Sequence, residues 1–160
     1  MKKIIALLTV LCLLCAACSA MADMGTPTWD AMPAAVMEDE DTHVDEAAFQ
    51  GDWMPSVAFL GTEYIPPEEL LNTYGYVFTP IRIADGKLMM DYQQENGEFV
   101  TLEAPYVFEA GQLQSVEGSE DNFAIDLLED GTIALAIFLP GEGDTLQCLT
   151  LFMVRPTVVE

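Results

Sequence analysis

The chain has 160 residues, about half of them apolar, and carries 27 Asp and Glu against 5 Lys and Arg for a formal net charge of −22. Such a surface repels nucleic acid and anionic lipid head groups, which leaves a cation, a basic partner or simple solubility as readings of the charge. With 1 histidine and 4 cysteines, zinc, serine–histidine and cysteine–histidine chemistries lack their parts.

Met1-Lys2-Lys3 is a short basic start, and Ile4 to Ala17 follow without a charge. The run is shorter than the roughly 20 residues a permanent membrane span needs, so residues 1–20 are read as a secretory signal peptide. Leu14-Cys15-Ala16-Ala17-Cys18 resembles a lipobox, which implies acylation of Cys18 and anchorage at the outer face of the cytoplasmic membrane. Ala20-Met21-Ala22, before Asp23, is a competing cleavage site that would release a soluble protein. Processing removes Lys2 and Lys3 and leaves Arg82, Lys87 and Arg155 as the basic side chains. If Cys18 is lipidated, Cys148 stands alone and no disulfide forms; lying in the apolar run Leu146 to Val154, it reads as a small buried hydrophobe, not a nucleophile.

Residues 21–48 contain Pro27, Pro33 and the acidic block Glu38-Asp39-Glu40-Asp41, with few aromatic or β-branched residues. This composition predicts a disordered acidic linker, extended by self-repulsion. His43 lies within it with no second histidine near, so neither a metal site nor a catalytic base is expected there.

A single folded domain is predicted from Phe49 to Pro156, with residues 157–160 as a tail. Asp85-Gly86, Asn96-Gly97 and Asp130-Gly131 accept positive φ between apolar runs, the pattern of β-hairpins, and Glu109-Ala110-Gly111 reads as a longer turn. Loops are expected at Glu117 to Asn122 and Pro140 to Asp144. Eight strands follow: Trp53 to Leu60, Thr79 to Ala84, Leu88 to Gln93, Phe99 to Leu102 extending toward Phe108, Gln112 to Val116, Phe123 to Leu128, Thr132 to Leu139, and Thr145 to Arg155. Pro105 is expected to bend or end the fourth. Between the first two strands, Pro66 to Gly75 has the prolines and glutamates of a helix start and a glycine stop. This short helix, with Leu70, Leu71 and Tyr74 on one face, must pack across a barrel end to be stable. The fold class is therefore mainly all-β: a small eight-stranded antiparallel up-and-down barrel, closed because closure removes unpaired edges.

Alternation places Trp53, Val57 and Phe59 on one face, as it does Leu88, Met90 and Tyr92, and Phe123, Ile125 and Leu127. A barrel of this size is either filled by side chains or holds one small ligand. Trp53, Val57, Phe59, Met90, Tyr92, Phe123 and Ile125 are accordingly the candidate ligand contacts. The last two strands are apolar on both faces, so they need a second cover, either the helix or a protein partner.

Gly51-Asp52-Trp53 opens the first strand and Arg155 ends the last. In this the chain resembles lipocalin-like, or calycin-type, β-barrel domains of small bacterial lipoproteins, whose shared signature is a Gly-x-Trp with a basic residue from the last strand laid over the indole. The resemblance spans Phe49 to Pro156 and implies a non-catalytic exported module that takes a small apolar or amphipathic molecule at the barrel mouth. The alternative is an extracellular interaction or inhibitor domain with a filled barrel. No catalytic residue, metal or cofactor is predicted, and a chance carboxylate pair suited to glycoside hydrolysis is the one enzymatic reading left open.

Overall fold

The computed structural model describes residues 26–156 apart from 77–78, 95, 120–121 and 141–144. The expected signal peptide, Cys18 with its neighbouring cleavage sites, and the tail 157–160 lie outside the described residues. The described residues form nine strands and one α-helix: β1 (Gly51–Leu60), β2 (Glu63–Ile65), α1 (Pro67–Tyr74), β3 (Ile81–Ala84), β4 (Lys87–Gln93), β5 (Phe99–Glu109), β6 (Gln112–Ser115), β7 (Phe123–Leu127), β8 (Ile133–Pro140) and β9 (Leu146–Val154). Consecutive strands pair antiparallel from β3 to β9, and β1 closes the ring by pairing with β3 through Gly51–Trp53 and with β9 through Met54–Leu60. The result is a closed eight-stranded antiparallel barrel, with β2 an added short strand on the end of β1.

Local chemistry accounts for the turns. Asp85 and Gly86 both have positive φ, the conformation that matches a two-residue hairpin to the twist of its strands. Ala110 and Gly111 do the same between β5 and β6, so the turn expected to be longer is also tight. Pro105 does not break β5. The strand pairs with β4 up to Pro105 and with β6 from Tyr106 onward, so the proline stands at the joint between two partners, where its missing N–H costs least.

The tight turns at 85–86, 110–111 and 130–131 share the end of the barrel where β1 begins. At the other end lie α1 and the longer connections. Pro67 starts the helix, and Gly75, with φ 74°, stops it and donates to the Leu71 carbonyl. Leu70 is fully buried, Leu71 and Tyr74 half-buried, so the helix is held by one anchored face, as its short length requires.

The part of the expected linker that is described, 26–48, differs from a free tether. Trp29–Ala31 forms a 3₁₀ turn, the Val36 N–H donates to the Leu127 carbonyl, the Glu129 N–H donates to the Ala34 carbonyl, and Val44 is buried in the core at the tight-turn end. The reason is sparse but well-placed apolar content. Trp29, Met32, Ala35, Val36 and Val44 find apolar surface that the barrel would otherwise expose, and this offsets the entropy of ordering the segment.

Candidate functional site

Three places merit attention: the tight-turn end, the opposite mouth, and the outer face beneath the 26–36 segment. At the first, Trp53 is completely buried, its Nε1 donating to the Phe49 carbonyl at 2.7 Å. The Arg155 guanidinium lies 3.7 Å from the centre of the indole, the distance of a cation–π contact. It also donates to the Gln50 carbonyl at 2.6 Å and the Ala48 carbonyl at 2.9 Å. Burial against the ring lowers the Arg155 pKa from its ordinary value. Gly51 has φ 109°, and a Cβ there would stand 2.8 Å from an Arg155 nitrogen. The glycine, tryptophan and arginine therefore form one interlocked seal.

The seal extends sideways. Gln50 donates to the Tyr106 hydroxyl at 2.8 Å, and that hydroxyl donates to Glu46 at 3.0 Å, tying the 46–50 turn to β5. Asp52 and Arg82 pair in bidentate fashion across β1 and β3, and the hydrogen bond from Arg82 holds the Asp52 carboxyl below its usual range.

At the mouth, Met90 and Phe123 line an apolar recess of about 170 Å³ together with Tyr76, Leu102 and Ile137. Tyr92 stands nearby, its ring edge-on to Tyr76 at 5.7 Å. Ile125, like Leu113, Leu135 and Leu149, is completely buried deeper in the barrel. Where these residues lie the barrel is filled by side chains, and the recess falls short of the 300 to 1,000 Å³ of ordinary ligand pockets, being roughly large enough for one aromatic ring.

Val57 and Phe59 do not face the interior with Trp53. The register between β1 and β9 shifts between Pro55 and Val57, leaving Ser56 as an extra residue whose hydroxyl donates to the Phe152 carbonyl. One inserted residue reverses the alternation. Ala58 consequently joins the interior cluster, while Val57 and Phe59 join Leu128, Ala134 and Phe152 in a second cluster on the outside of the barrel. Trp29 covers it, meeting Phe59 and Phe152 edge-on at 5.4 and 5.6 Å. At this cluster the second cover required by the two-sided last strands is thus supplied by the chain's own 29–35 segment, not by α1.

Cys148 also faces outward. It is half-buried and 3.5 Å from the Thr150 hydroxyl, whereas its neighbour Leu149 occupies the core. Beside it, between the segment and β7 to β9, runs a groove of about 500 Å³ lined by Trp29, Ala134, Ala136, Thr150 and Phe152 among others, with Asp30 and Asp126 as its charged members. Inward alternation could not reveal this groove. The available signal was the alternation of small Ala134 and Ala136 against large Ile133, Leu135 and Ile137. His43 is exposed and lies 3.0 Å from Glu38. Among the described residues, no group of His, Cys, Asp and Glu has the arrangement of a metal site. The chain matches no protein-family model, no curated protein and no solved structure.

Proposed function

We propose that the chain is an exported, non-catalytic, lipocalin-like binding module that works with a filled barrel and recognises positively charged partners through its outer surface. The observation that carries this reading is the interior itself, where Trp53, Leu113, Ile125, Leu135 and Leu149 are completely buried and the recess at the mouth is ring-sized. The Gly51, Trp53 and Arg155 seal supports the lipocalin-like assignment, and the excess of carboxylates supports a basic partner. A lysine-rich peptide should bind in titration calorimetry, with affinity falling as salt rises to about 0.15 M, where screening acts within about 8 Å. Saturable binding of a fatty acid that is lost on Phe123→Trp at the mouth, with no binding of the peptide, would return the reading to a ligand-filled barrel.

Export and anchorage belong to the same proposal and rest on the basic start, the apolar run and Ala16-Ala17-Cys18. Mass spectrometry of the mature protein should find an acylated Cys18 at the N-terminus. An unmodified N-terminal Asp23 would establish soluble secretion instead.

A further inference from the structure

We propose that the groove outside the barrel, between the 28–35 segment and the outer faces of β7, β8 and β9, is a binding site for a small amphiphilic organic cation, an amine carried on an apolar body. This rests on the surface-recognition reading above and gives it a place and a ligand class. The groove's depth has a definite origin. Ala134 is opposite Phe152 and Ala136 is opposite Thr150 across the β8–β9 ladder, so small side chains form a floor while Phe152 and Trp29 form a wall. The segment above is pinned by the backbone hydrogen bonds from Val36 to Leu127 and from Glu129 to Ala34. At about 500 Å³ the groove is about three times the size of the mouth recess and falls within the range of small-molecule sites.

Charge selects the occupant. The charged residues lining the groove are Asp30 and Asp126, and no basic side chain is among the lining. The polar partner of Asp126 is the neutral amide of Gln112. The basic side chains of the described residues are engaged elsewhere: Arg82 with Asp52, Lys87 with Glu103, Arg155 over Trp53. An ammonium group in the groove would meet two carboxylates and an aromatic wall in which Trp29 remains 37% exposed, while its apolar body covers the alanine floor. A carboxylate on the same body would meet repulsion.

The test uses the mature protein with 4-phenylbutylamine, 4-phenylbutanol and 4-phenylbutanoate, which share one apolar body and differ in charge. Binding is read by Trp29 fluorescence, with Trp29→Phe as control, and by alkylation of Cys148 mapped by mass spectrometry. The amine should bind, protect Cys148, and exceed the butanoate by about tenfold or more, with the alcohol between. The Asp30→Asn, Asp126→Asn double variant should bring amine and alcohol to within about threefold. Ala136→Phe should abolish protection while keeping its urea midpoint; should it unfold, the double variant carries the test. Equal protection by amine and butanoate, amine binding that leaves Cys148 fully reactive, or no binding by any of the three would overturn the proposal. If the lysine-rich peptide still binds after such a failure, only the groove is lost; if the peptide fails to bind, the surface reading fails on its own account.

Discussion

Trp53→Ala is expected to destabilise the domain by about 3 to 5 kcal/mol, measured as the shift in urea unfolding, because it removes the largest completely buried side chain at the sealed end. The loss has three sources. The cavity left by the indole lies among strands of a closed ring, whose hydrogen-bond ladders resist collapse. The Phe49 carbonyl loses its donor, and the Arg155 guanidinium loses the ring on which it rests. Trp53→Phe should fall between, since it retains an aromatic face but no N–H. A loss below about 1 kcal/mol for the alanine variant would mean that the seal does not hold the barrel closed.

Gly51→Ala should cost about 2 to 3 kcal/mol, more than a surface-strand position ordinarily would. Part is backbone strain, of order 1 to 3 kcal/mol for an L-residue held at φ 109°. The rest is displacement of Arg155, whose nitrogen occupies the space a Cβ would need. A double-mutant cycle separates the two. Arg155→Ala alone should cost on the order of 1 kcal/mol for the cation–π contact, plus some packing by its stem. In that background Gly51→Ala should cost about 1 kcal/mol less than in the native protein, because the steric conflict is gone while the strain persists. Strict additivity would show that the glycine serves the backbone alone.

Much of the barrel was legible because its determinants are local. Asp85-Gly86 reverses the chain by its own conformational preference, and Pro66 to Gly75 carries both ends of its helix in the sequence. The Trp53–Arg155 contact is long-range: the adjacency of first and last strands follows from a closed meander, whereas the arginine laid over the indole is what the resemblance to lipocalin-like barrels implied. Met90 and Phe123 point inward as alternation implies, because nothing interrupts the period of two in β4 and β7.

Val57 and Phe59 mark where that reasoning stops. A period of two in a single strand carries no sign of one extra residue, because a bulge is a property of the pairing between β1 and β9 and is invisible until both are in register. Pro105 teaches the same lesson in reverse: whether its missing N–H matters depends on which neighbour it faces, and β5 changes neighbours there. Residues 21–48 read as a linker by composition; in the described part, Trp29, Met32 and Ala35 gain order against the outer face formed by Val57, Phe59, Ala134 and Phe152, and Val36 and Val44 against the core cluster. By itself the sequence determined most of the turns, eight of the nine described strands, the helix and the closed antiparallel ring, since each follows from local preference and the need to leave no edge unpaired. The tertiary structure alone decided which face of β1 turns outward, that the interior is filled, and that the chain's own N-terminal segment roofs an acid-lined groove, because register, packing density and burial are set jointly by residues far apart in sequence.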